Sequence, residues 1–200
     1  MKHIFIVNTT AGKESCLDMV KEGIAQCREE IDYEIYTPDS PNDSIHFIKT
    51  YLKNHPEEKV RFYACGGDGT INECFNGAYG YANVELGVIP IGTGNDFVRN
   101  FGVADMFFDI EEQLDANARE IDLIKYNDRY SVNMINIGFD CEVAARTATL
   151  KTNPLIPSKF AYISGLLGEF IKKSGTEFHI TIDGKDMGHR KLLLSVFANG

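Results

Sequence analysis

Short continuous apolar runs alternate along this chain with apolar residues at helical spacing, and polar or glycine-rich turns separate the two. Ile4-Phe5-Ile6-Val7 is the first run. Asn8-Thr9-Thr10-Ala11-Gly12 closes it, and Leu17, Val20, Ile24 and Cys27 then recur at the spacing of one helix face. Tyr33 to Thr37 predicts a second strand. Asp39 to Asp43 supplies caps and an N-terminal proline for a second helix marked by Ile45, Ile48, Tyr51 and Leu52, which His55-Pro56 ends. Val60 to Cys65 predicts a third strand running into a glycine loop, with a helix from Ile71 to Ala78 behind it. Leu86 to Pro90 predicts a fourth strand, and it too ends in a glycine-rich loop.

Mostly apolar strands alternating with helices to about residue 118 predict a parallel sheet covered on both faces, a doubly wound α/β domain over residues 1–120. The pattern then changes. Ile121 to Tyr126, the Asn127-Asp128 turn and Tyr130 to Ile137 predict an antiparallel hairpin that opens a second, β-rich domain over 121–200. Phe178, Ile180 and Ile182 alternate with polar residues up to Asp183-Gly184, and Lys191 to Phe197 predicts one more strand. Asn199-Gly200 is a turn signal, from which we expect the second domain to be incomplete. Phe160 to Leu167 reads as a buried amphipathic helix in preference to the lining of a lipid entrance.

Composition narrows the function. A formal net charge of -9 gives a field that repels polyanions, and Lys and Arg are scattered, so nucleic acid is not an expected partner. No apolar stretch approaches the roughly 20 residues of a membrane-spanning helix. Five cysteines without a CxxC pair, an odd number, predict reduced thiols and a cytoplasmic setting. The five histidines form no HxxxH pair, so zinc is not expected. Contact with a membrane surface and a homodimer both stay open.

The chemistry sits where strands end. In an open parallel sheet, ligands bind beyond the carboxyl ends of strands, where helix N-termini present unpaired N–H groups to anions. Gly66-Gly67-Asp68-Gly69-Thr70 offers amides that phosphate oxygens can approach without a Cβ in the way, and Thr70 adds a hydroxyl. Asp68 would repel phosphates unless a divalent cation lies between, which points to Mg²⁺ and to chemistry. Gly92-Thr93-Gly94-Asn95-Asp96 repeats that logic with a second carboxylate, and two acid-bearing loops facing one crevice suit phosphoryl transfer. Asn8 to Gly12, with Lys13 after it, can bring amides and a cation to the same place. Each loop also has a plainer reading as a tight turn or helix cap. Asp122 and Asp140 divide evenly between a site role and turn-side polarity, and the acidic run from Asp109 to Asp115 reads as a solvated helix face.

Taken together, Asn8 to Gly12, Gly66 to Glu73, Pro90 to Phe97 and Asn136-Ile137-Gly138-Phe139-Asp140 resemble the diacylglycerol kinase catalytic-domain family, the bacterial lipid kinases related to sphingosine kinases. Other kinases share the shorter Gly-Gly-Asp-Gly run, whereas Asn72-Glu73 directly after it and the Gly-Thr-Gly-Asn-Asp loop are similar to the lipid kinases. Thr9 stands where the family often has proline. The resemblance implies an ATP site made by Asn8, Thr9, Thr10, Ala11, Gly12, Thr37, Gly66, Gly67, Asp68, Gly69, Thr70, Ile71, Asn72 and Thr93, with Gly92, Gly94 and Asn95 framing the second loop. It puts Asp68 on the metal, Asp68 and Asp96 at the transferred phosphate, and Lys13 and Asp122 in the polar network of the site. It also implies a β-sandwich second domain whose general base and structural Mg²⁺ site lie past Gly200. The expected reaction is transfer of the ATP γ-phosphate to a lipid hydroxyl such as that of diacylglycerol, in phospholipid biosynthesis. The alternatives are a kinase for a soluble acceptor, NAD or a sugar phosphate, and a nucleotide-binding regulatory module without transferase activity.

Overall fold

The computed structural model describes residues 1–10, 16–102, 104–138, 141 and 175–199. Four parallel strands form the first sheet: β1 (Lys2–Val7), β2 (Tyr33–Tyr36), β3 (Val60–Gly66) and β4 (Val84–Pro90), in the order β2-β1-β3-β4. Side chains alternate across such a sheet, and both faces are apolar here. Ile4, Ile6, Phe62, Ala64 and Val88 face one layer; Phe5, Val7, Tyr63, Cys65 and Ile89 face the other. The first layer is covered by α2 (Asp43–Asn54) through Ile48 and Leu52, and by α3 (Asp68–Ala78) through Ile71, Cys74 and Ala78. The second is covered by α1 (Cys16–Ala25) through Cys16, Val20 and Ile24, and by α5 (Ile110–Asp115) through Ile110. Each large side chain removed from water in this way contributes about 1.5–3 kcal/mol. The helices on both faces make the fold doubly wound, as the apolar runs predict.

Three details depart from the sequence pattern. Cys27 lies past the end of α1, its thiol donating to the Gly23 carbonyl at 3.4 Å. The run from Tyr130 to Ile137 is two strands and not one. β5 (Ile124–Tyr126) and β6 (Arg129–Ser131) form the hairpin, while β7 (Met134–Gly138) pairs with β10 (Leu194–Ala198). The break has a cause in the packing: Asn76 donates to the Tyr130 carbonyl at 2.8 Å and accepts from its N–H at 2.9 Å, Tyr79 stacks on the Tyr130 ring, and Val132 is buried in the core under α3. Lys191 to Phe197 also splits, because β9 (Lys185–Leu192) belongs to the hairpin with β8 (Thr176–Ile182) and exposed Leu193 separates it from β10. The Asp183-Gly184 turn has two left-handed residues, φ 49° and 76°, the geometry that an Asp-Gly pair favours.

The chain divides into two compact units, Met1–Asn133 with Asn199–Gly200, and Met134–Ala198. The β5–β6 hairpin lies in the first unit, and the antiparallel pairs β7–β10 and β8–β9 make up the described part of the second. The short helix α4 (Asp96–Arg99) and a 3-10 turn (Ala104–Phe107) lead from β4 to α5.

At the amino end of the sheet, away from the glycine loops, His3 Nδ1 lies 2.8 Å from the Tyr63 hydroxyl. Burial, then the Arg61 guanidinium and the N-terminal amine, hold the imidazole below its ordinary value against the opposing charges of Asp32 and Glu85. The unfolded chain therefore binds the proton more readily, and stability that is complete above the unfolded value near 6.5 is lost as pH falls through the folded one. Denaturant midpoints measured from pH 7.5 to 5 are expected to fall more steeply for the wild type than for His3→Gln. Parallel slopes would remove His3 as a cause.

Candidate functional site

Strand order locates the site before any side chain is considered. The chain leaves β1 for β2 on one side and β3 for β4 on the other, so the carboxyl ends of β1 and β3 flank the topological switch point where an open sheet leaves a crevice. Asn8, just after β1, spans that crevice. Its N–H donates to the Cys65 carbonyl at 2.9 Å, and its side-chain Nδ2 donates to Thr70 Oγ1 at 3.0 Å. Its Oδ1 accepts from the Thr10 N–H at 3.0 Å and from the Thr10 hydroxyl at 2.7 Å. The structure thus brings Asn8, Thr10 and Thr70 together, with Thr9 exposed beside them.

The first glycine loop is the N-terminus of α3. Gly67 is extended and, among the described residues, no side chain caps the helix, which leaves the first-turn amides free to face a ligand. A Cβ on Gly69 would meet no atom of the described residues within 4 Å. Uncapped amides and the positive end of the helix dipole beside an open volume are what an anion needs.

The second glycine loop meets the first backbone to backbone. A Cβ on Gly92 would lie 2.4 Å from the Gly67 Cα, and the Ile91 N–H donates to the Gly66 carbonyl at 2.9 Å. Asn95, left-handed at φ 54°, holds this loop from within, its amide donating to the Pro90 and Gly92 carbonyls at 2.7 and 2.8 Å. Thr93 is exposed at the tip.

Asp68 ties the loops together. Its Oδ1 accepts from the Phe97 N–H at 3.1 Å, capping α4 from across the gap. Its Oδ2 lies 3.0 Å from where a Cβ on Gly94 would sit, and Asp96 Oδ2 lies 3.8 Å from the same point. Two carboxylates therefore face one small space. Asp96 also pairs through Oδ1 with Arg99 at 2.7 Å. Among the described residues no three His, Cys, Asp or Glu side chains converge on a metal. Two carboxylates suit Mg²⁺, which is commonly held by one or two of them together with substrate phosphates and water. Beneath the loop, burial pushes the Cys65 thiol well above its ordinary value, which leaves it an inert core residue and not a nucleophile.

The other candidates scatter. Ile71 is fully buried in the core. Asn72 has a buried Oδ1 with no hydrogen-bond partner among the described residues, an acceptor left for a ligand or water. Thr37 is half-buried just past the carboxyl end of β2, next to β1 in the sheet. Asp122 is exposed on the segment before β5, and it is its main-chain carbonyl that accepts from the Asn199 amide. Ala11, Gly12, Lys13, Asp140 and the segment 160–167 lie outside the described residues. Sequence reasoning assigned no task to Glu73, whose carboxylate accepts from the Asn42 N–H at 2.9 Å. Its place directly after Asn72 was the one signal for it.

Residues 2–126 match the diacylglycerol kinase catalytic domain. A proposed lipid kinase of Staphylococcus epidermidis is 31% identical over 166 residues, which are 81% of this chain and 53% of that protein. One from Staphylococcus aureus is 29% identical over 156 residues, 76% of this chain and 49% of its own. The chain thus spans about half the length of these relatives. A crystal structure of a diacylglycerol kinase from Bacillus anthracis superposes on the whole of this chain with a TM-score of 0.63, at 24% identity and over 64% of its own length, a likeness of fold.

Proposed function

The chain belongs to the diacylglycerol kinase catalytic-domain family, and from that premise we propose that it is the nucleotide-binding part of an ATP-dependent lipid kinase. The observation that carries this reading is the meeting of the two glycine loops at the switch point, with Asp68 and Asp96 facing one space beside the uncapped start of α3. The amides of Gly66 to Thr70 would hold the triphosphate, with the Thr70 and Thr93 hydroxyls as donors, and Thr37 would meet the ribose end. Asp68 Oδ2 and Asp96 would hold Mg²⁺, which would neutralise charge on the nucleotide phosphates. Asp68 keeps the second loop closed on the first by capping α4, and that fixes where the γ-phosphate points. The acceptor is a lipid hydroxyl such as that of diacylglycerol, met at the membrane surface from the cytoplasm.

Labelled ATP with Mg²⁺, offered to mixed-micelle lipids, NAD and sugar phosphates by this chain and by one extended past Gly200, tests the proposal. Label in a lipid that requires Asp68 supports it. Label in NAD or a sugar phosphate makes the protein a soluble-acceptor kinase, and tight ATP binding without transfer by the extended chain makes it a regulatory module.

A further inference from the structure

We propose that Glu73 is a positioning residue that sets the distance between the two ends of the bound nucleotide, an inference that rests on the ATP site assigned above. Glu73 lies on α3, the helix whose first turn faces the phosphates, five positions beyond Asp68. Its Oε1 accepts from the main-chain N–H of Asn42 at 2.9 Å. Asn42 is left-handed, φ 69°, and ends the loop 37–42 that carries Thr37. Its own side chain does not cap α2, so a carboxylate from α3 stands at that helix start instead, where the dipole favours negative charge.

The loop is held from other sides as well. Asp43 Oδ2 accepts from the Tyr36 hydroxyl at 2.9 Å and from the Asp39 N–H at 3.0 Å, and Arg129 donates to Asn42 Oδ1 at 2.9 Å. Those bonds shape the loop and join it to the hairpin. The bond from Glu73 joins it directly to the phosphate helix, so α3 holds the triphosphate at one end and the ribose-side loop through its middle. With Glu73 truncated, the loop would be ordered at the moment of binding, and only a ligand that reaches Thr37 would feel that cost.

The test compares Mg-ATP with Mg-tripolyphosphate, which has the phosphates and no ribose. We expect Glu73→Ala to weaken ATP about tenfold, the worth of one charge-assisted hydrogen bond, with tripolyphosphate affinity unchanged. Glu73→Gln, which keeps an acceptor for the Asn42 N–H, stays within about twofold of wild type for both ligands. In the wild type, amide exchange over 38–42 slows with ATP and not with tripolyphosphate, a readout that needs no variant. Equal weakening of both ligands in Glu73→Ala, weakening of neither, or equal slowing of exchange by both overturns the inference. A wild type that binds neither ligand overturns the nucleotide site itself.

Discussion

Gly92→Ala is expected to lower phosphate transfer by about 100-fold, with ATP binding weakened alongside it, because displacements near 1 Å in a positioning element cost that much in rate. The new methyl would sit 2.4 Å from the Gly67 Cα and 3.2 Å from the Gly67 nitrogen. Those atoms are backbone, so no rotamer relieves the contact and the two loops must part. Parting them separates Asp68 from the α4 amide it caps and from the space it shares with Asp96. The fold loses about 1–3 kcal/mol, the usual range for an overpacked contact. Gly69→Ala is the comparison that separates binding from folding. Its methyl meets no atom of the described residues within 4 Å and it replaces a glycine inside a helix, so thermal stability should hold or rise. ATP affinity should still fall, since the methyl occupies the space assigned to phosphate. Titration calorimetry and thermal melts on both variants decide the matter: Gly92→Ala binding ATP like wild type would mean that the contact between the loops is incidental to the site.

The second large effect is at Asp68, where one side chain has two tasks. Asp68→Asn keeps an oxygen to accept from the Phe97 N–H, so the melting temperature is expected to stay near that of wild type. It removes the charge facing Gly94, and phosphate transfer is expected to drop by about 10³-fold. Asp68→Ala loses the cap as well, at a further cost of about 1 kcal/mol in stability. A rate for Asp68→Asn equal to that of wild type at saturating Mg²⁺ would sink the metal role and leave Asp68 as a cap alone.

Much of this was legible from residues. Short, mostly apolar runs at the strands, with apolar residues at helical spacing between them, point to a parallel sheet with helices on both faces, the arrangement that buries the central strands β1 and β3 on both sides. The glycine loops were legible because each follows a strand and opens a helix, a setting in which backbone amides have few other uses. Where strands end was less so. Tyr130 to Ile137 is mostly strand-forming, and beside the break at Val132-Asn133 Tyr130 is gripped by Asn76, 54 residues earlier, and stacked on by Tyr79.

The sequence alone determined the fold class and the two loops that meet, since periodicity and glycine placement act over neighbouring residues. Tertiary structure alone decided how the parts touch: that Asn8 reaches Thr70 across the switch point, that Asp68 caps α4, and that Glu73 holds Asn42. Those bonds join residues 62, 29 and 31 positions apart, and no local pattern encodes a distance that exists only once the sheet has ordered its strands.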